Sequence, residues 1–332
     1  MTRTIALAAT LVALAFAGCG GSSSEGSAPE GATGGNIRLV AYSTPREAYA
    51  KLTSLYRGGA GDGVSFDLSF GSSGEQSRAV EAGLRADVVA FSLEPDMKRL
   101  VESGIVAQDW NAGEHKGMVT DSVVVFIVRE GNPKGIESWD DLTQDGIEVV
   151  TPNPFTSGGA RWNVMAGYGA QLEQGKSPEQ AREYLRSLFR NVVVQDKSAR
   201  ESLTTFAAGK GDVLLGYENE AIFAQRQGQP IEYVVPDETI LIENPVAVTE
   251  DASDAAAGFL DFLTSDEAQK VFGDEGYRPV VKSVFDTFDF PTPPGLFTIE
   301  DVGGWDTVQE EFFDRETGFM ADVQRELGEP TD

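Results

Sequence analysis

Apolar and polar positions along the chain fall into short extended runs, each followed by a stretch with helical spacing. Val64-Ser-Phe-Asp-Leu-Ser-Phe70 alternates with the period of a half-buried strand, while Ile147-Glu-Val-Val150 and Asn191-Val-Val-Val-Gln195 have the branched apolar character of strands. Residues 87–91 read as a buried strand and 121–128 as a long one, with helices over 46–56 and 96–103. Alternation of this kind predicts an α/β architecture. About three hundred residues follow the N-terminal stretch, more than one hydrophobic core usually organises and a natural size for two lobes. The long apolar stretches 122–128 and 239–248 are where the chain is expected to cross between them. Residues 305–327 read as helical, with Phe312, Phe313 and Phe319 available for packing, and no internal repeat recurs at a fixed period.

Three strand-to-helix junctions share one chemistry. In Thr151-Pro-Asn-Pro-Phe-Thr-Ser-Gly-Gly-Ala-Arg-Trp-Asn163, Pro152 and Pro154 stop the strand, Ser157 stands where a helix N-cap belongs, and Gly158 and Gly159 leave bare amides. Gly71-Ser-Ser-Gly-Glu-Gln-Ser-Arg-Ala-Val80 makes the same transition with Ser73 near the cap, and Asp196-Lys-Ser-Ala-Arg-Glu201 makes it again. Each turn alone is also an ordinary capped helix start. Helix N-termini carry unpaired N–H groups and roughly half a positive charge, so three of them could hold a tetrahedral dianion without any cationic side chain. In open α/β sheets the crevice beyond the carboxyl ends of the strands is where ligands bind, which makes their convergence geometrically reasonable.

At these residues the chain resembles the sulfate-binding proteins, extracytoplasmic receptors of sulfate or thiosulfate ABC importers. The likeness spans nearly the whole chain beyond its N-terminal stretch and includes Gly71-Ser-Ser-Gly-Glu-Gln76, Arg129-Glu-Gly-Asn-Pro-Lys134, Ser138-Trp-Asp-Asp-Leu142, the 152–163 turn, Ser198-Ala-Arg200, Gly211-Asp-Val-Leu214, Glu218-Asn-Glu-Ala221 and Tyr277-Arg-Pro279. The resemblance implies a two-lobed, type II periplasmic-binding-protein-like α/β fold with two crossover segments. Lobe one would comprise residues 36–120 and 243–332, and lobe two 121–242. It also implies a dehydrated sulfate in the cleft, held by the hydroxyl and amide of Ser73, the hydroxyl of Ser157, and the amides of Gly158, Gly159 and Ala199. Two positions depart from the family pattern. Tyr217 stands where the family has a tryptophan donor, and a phenol can donate or accept where an indole only donates. Ser43 stands near the usual place of an aspartate, which alters the pairing expected of Arg200 behind the ligand. Thiosulfate, molybdate or tungstate would use the same donors, whereas a protonated phosphate needs an acceptor and ferric iron needs a cluster of oxygen ligands.

Charge and the N-terminus narrow the setting. Fifty-three acidic against 26 basic residues give a net charge of −27, which argues against binding nucleic acid or an acidic membrane surface. Arg3 precedes a short apolar run over residues 5–17, and Phe16-Ala-Gly-Cys19 resembles a bacterial lipobox, so residues 1–18 read as a signal peptide and Cys19 as a lipidated first residue. Residues 19–35 then form a lipidated flexible tether, and the extracytoplasmic protein is held at the cell membrane by that lipid alone. Cys19 is the only cysteine, which leaves no disulfide. The only histidine, His115, lies in a polar loop, and no nucleophile elbow or phosphate-binding Gly-Lys loop is present. No catalysis, cofactor or metal is therefore expected. The remaining alternative from another class is a cell-surface hydrolase using paired acids such as Glu218 and Glu220 or Asp140 and Asp141. Partners would be the oxyanion and the permease subunits of an importer, met by a monomeric receptor.

Overall fold

The computed structural model describes residues 35–329 and 331. The signal peptide, Cys19 and the tether up to residue 34 lie outside the described residues. The chain opens with β1 (Asn36–Tyr42), α1 (Arg46–Arg57), β2 (Ser65–Gly71), α2 (Ser73–Glu81), β3 (Val88–Ala90), α3 (Glu94–Glu102) and the long β4 (Met118–Arg129). A 3-10 turn at Trp139–Thr143 leads to β5 (Val149–Pro152), α4 (Gly158–Glu173), α5 (Pro178–Arg190), β6 (Val192–Asp196), α6 (Ala199–Ala207), β7 (Val213–Tyr217), α7 (Glu218–Arg226), β8 (Ile231–Val234) and β9 (Glu238–Val248). After these come α8 (Asp254–Leu263), α9 (Asp266–Asp274), β10 (Arg278–Pro279), α10 (Lys282–Phe285), β11 (Gly295–Phe297), α11 (Gly304–Phe313) and α12 (Phe319–Leu327).

The strands follow the path β2-β1-β3-β9-β4-β7-β5-β6, with β8 and β10 beside β4 and β11 beside β9. Parallel pairs at the two ends of this path, β1 with β2 and β3, and β5 with β6 and β7, are the ones whose connections pass through helices. In the middle, β4 and β9 run antiparallel and change partners along their length. β4 pairs with β9 up to Val123 and with β7 from Val124 onward, while β9 turns to β3 at Val246. These two strands contain the stretches that hydrophobicity alone marked as crossings.

Separate cores lie on either side of the path. Ile37, Leu39, Tyr49, Leu52, Val88, Phe259 and Phe272 pack β1 and β3 under α1, α8 and α9. Phe126, Trp139, Trp162 and Tyr184 belong to another cluster, which also takes in Trp305, Phe312 and Phe319. Residues 304–327, grouped with lobe one by the resemblance, thus pack on α4 and α5. Trp305 meets Trp162 edge-on at 4.7 Å and Phe312 meets Tyr168 at 4.8 Å, contacts worth about 0.5–1.5 kcal/mol each beyond the area they bury. Because α4 is buried on every side from Gly158 to Gln171, its N-terminus is held rigidly against the sheet ends.

Candidate functional site

Each junction singled out in the sequence folds as a strand, a short turn and a helix start. After β5, Asn153 builds the turn: its Oδ1 accepts from the Phe155 amide at 2.8 Å and its carbonyl from the Ser157 amide at 2.9 Å. Its own amide donates to the carbonyl of Asp196 at 2.8 Å, tying the end of β5 to the end of β6. Ser157 is the N-cap of α4 with extended backbone angles, yet its side chain makes no capping bond. The hydroxyl therefore remains for another acceptor. The amides of Gly158 and Gly159 open the helix and have no carbonyl one turn earlier to pair with. Ala199 opens α6 in the same way, behind Ser198, whose hydroxyl caps Glu201 N at 3.3 Å.

At α2 the outcome is different in one respect. Ser72 is the N-cap and Ser73 the first helical residue. The Ser73 hydroxyl donates to Asp96 Oδ2 at 2.6 Å and accepts from Ser92 N at 3.0 Å. Its single proton is committed to a carboxylate, and the amide is what it presents at the helix start.

One small cavity of about 10 Å³ gathers these groups: Tyr42, Ser43, Thr44, Ser73, Ser92, Ser157, Gly158, Gly159, Ala199 and Tyr217 line it. All six positions inferred to hold the ligand are there, as is Ser43. Such a volume admits roughly one water, so a tetrahedral oxyanion requires the walls to part. None of the lining residues carries a charge. Burial pushes the phenols of Tyr42 and Tyr217 far above their ordinary range, so both stay neutral. Gly158 has to be glycine, because a Cβ there would stand 2.7 Å from Ser92 Oγ and 2.8 Å from its Cβ. At Gly159 the closest atom would be the Ala199 Cβ at 3.3 Å.

Arg200 lies behind the cavity wall. Its guanidinium donates to both carboxylate oxygens of Glu220 at 2.8 and 2.9 Å and to both of Glu47 at 2.9 and 3.0 Å. It also reaches the Thr44 carbonyl at 2.8 Å and covers the Phe223 ring. With no carboxylate at Ser43, Arg200 takes its acidic partners from Glu47 of α1 and Glu220 of α7. Sequence reasoning did not single out Tyr42, Thr44, Glu47, Ser92 or Asp96. A signal for Ser92 was present: Ser92-Leu-Glu-Pro95 follows β3 and starts α3, a fourth junction of the same kind.

The bacterial extracellular solute-binding protein family matches residues 37–278. A sulfate-binding protein of Synechococcus elongatus is 39% identical over 92% of this chain and 91% of its own length, and one of Escherichia coli is 37% identical over 82% and 88%. The solved structure of the sulfate-binding protein SubI from Mycobacterium tuberculosis superposes with a TM-score of 0.81 at 42% identity, covering 84% of this chain and 99% of that one. The chain belongs to the sulfate-binding protein family of bacterial extracellular solute-binding proteins. Its fold is the two-lobed α/β fold of periplasmic binding proteins, and β4 and β9 join its two groups of strands.

Within this cavity the two glycines are expected to differ in tolerance. Gly158→Ala forces a methyl against the firmly held Ser92 and should lower the unfolding free energy by about 1–3 kcal/mol in urea denaturation. Gly159→Ala meets a looser contact and gains helix propensity, so its cost should stay below about 1 kcal/mol. Equal losses at the two positions would show that the close approach of Ser92 to α4 is not a constraint.

Proposed function

We propose that this chain is an extracytoplasmic receptor that binds sulfate for delivery to an ABC importer. The observation that supports it is that Ser73, Ser157, Gly158, Gly159 and Ala199, all at helix starts, line one cavity with no charged side chain in its lining, and the donors are their amides and the Ser157 hydroxyl. Hydrogen bonds to a charged group contribute about 1.5–3 kcal/mol each, so five such donors can offset anion desolvation and lobe closure and leave a micromolar affinity of about 8 kcal/mol. Residues 36–120 on one side and 121–242 on the other both contribute to the cavity. Ser43, Ser73 and Ser92 come from the first and Ser157, Gly158, Gly159, Ala199 and Tyr217 from the second, so bound anion would hold the lobes together.

Thiosulfate is the nearest second ligand, in keeping with a thiosulfate-binding protein of Pseudomonas aeruginosa that is 33% identical over 82% of this chain. A hydrolytic role has less support. Glu218 is paired with Arg278 at 2.8 Å and Glu220 with Arg200, and neither lines the cavity. We therefore read the chain as a receptor and not an enzyme, working as a monomer with importer permease subunits.

Calorimetric titration from pH 5 to 8 at fixed salt tests the ligand. Sulfate remains a dianion throughout, and the donors do not titrate. Asp121, which burial pushes up to about 7, does not line the cavity. Sulfate affinity should stay nearly flat and phosphate should bind weakly, because a P–OH among donors leaves its proton unpaired at a cost of about 1–3 kcal/mol. Tight phosphate binding, or sulfate affinity that swings by orders of magnitude, would contradict the donor-only site. The proposed anchor is tested separately: Cys19→Ala should abolish detergent-phase partition and leave sulfate binding unchanged, and continued partition of the processed variant would overturn lipidation at Cys19.

A further inference from the structure

Ser92 is almost wholly buried, and its hydroxyl sits in the cavity 2.5 Å from the Tyr217 phenol. Its backbone is fixed on both sides. The amide donates to Ser73 Oγ, and the carbonyl accepts from Trp162 Nε1 at 2.7 Å and Asn244 Nδ2 at 2.9 Å. Two hydroxyls bring two protons, and their mutual bond uses one. A phenol is the stronger acid, hence the better donor and poorer acceptor, and the Asn244 amide also faces the phenol oxygen. With the shared bond running from Tyr217 to Ser92, the Ser92 proton is left over. The Ser92 oxygen lies beside Gly158, where a Cβ would be 2.7 Å away, so the hydroxyl stands against the first residue of α4. Among the described residues no acceptor other than the Tyr217 oxygen is paired with the Ser92 hydroxyl, in contrast to the Ser73 proton held by Asp96.

We propose that Ser92 donates to the bound oxyanion and sets the preference between sulfate and thiosulfate, and that Tyr217 is a positioning residue that aims the Ser92 proton. The inference rests on the sulfate-receptor function proposed above. It replaces a direct donation from Tyr217 with one relayed through its neighbour. Sulfate presents four oxygens and loses a donor wherever one is removed. Thiosulfate can turn its terminal sulfur, a weak acceptor, toward a corner without a donor.

Calorimetry with sulfate and thiosulfate on the wild type, Ser92→Ala, Tyr217→Phe and the double variant tests this, with thermal melting of the ligand-free proteins to verify folding. Ser92→Ala should weaken sulfate binding by about 10- to 150-fold, the equivalent of one charged hydrogen bond, and thiosulfate binding by less than about threefold. Tyr217→Phe should lose less sulfate affinity than Ser92→Ala, and the double variant no more than Ser92→Ala alone. Unchanged sulfate affinity in Ser92→Ala, equal losses for both anions, or a larger loss in Tyr217→Phe would overturn the assignment while leaving the receptor function intact. A wild type that binds neither anion would overturn the receptor function and this inference with it.

Discussion

The structure depends on how a dianion can be taken out of water without a countercharge. A lysine or arginine in the cavity would pair with any anion, at long range and with little regard for geometry. Backbone amides at helix starts are instead fixed by the helices that carry them, and each terminus contributes roughly half a positive charge that needs no counterion of its own. Their positions follow from the sheet: β2, β5 and β6 end at α2, α4 and α6, and the crossing of β4 and β9 brings the two groups of strands into one path. The burial of α4 on every side keeps Gly158 and Gly159 from shifting, and the absence of a Cβ at Gly158 lets the Ser92 segment close over them.

A protein of net charge −27 holding an anion is consistent with this arrangement. Surface carboxylates beyond about 8 Å are screened at physiological salt, while oriented amides in a small cavity are not. The guanidinium of Arg200, the residue after Ala199, is saturated by Glu47, Glu220 and the Thr44 carbonyl. It serves as a cross-brace between α1, α6 and α7, leaving the cavity itself neutral. Breaking such a brace from one side would leave a partly buried carboxylate unpaired, which costs more than the pair contributes.

The parts of the site legible in the sequence are those with local signatures. A capping serine, a following glycine and a preceding branched strand are all within a dozen residues, so Ser157, Gly158 and Gly159 could be named with their helix start, whereas Ala199 was named only through the family resemblance. What depended on distant partners was not legible. The fate of the Ser73 proton is decided by Asp96, 23 residues away, and the pairing of Arg200 by Glu47, 153 residues away. Ser92 is the instructive case, because its junction resembled the other three but β3 is only three residues long and offered little pattern. The two crossing strands were visible as unusually long apolar runs. The packing of α11 and α12 on α4 and α5 was not, since Phe312 and Phe319 state only that a core is needed.

The central claim is that specific helix-start amides bind the anion, and backbone NMR of the ¹⁵N-labelled protein tests it most directly. On addition of sulfate, the amide protons of Ser73, Gly158, Gly159 and Ala199 should move strongly downfield, as charge-assisted N–H bonds require, and should exchange more slowly with solvent. Saturating sulfate that leaves these four resonances in place, while shifting amides elsewhere in the chain, would contradict the account.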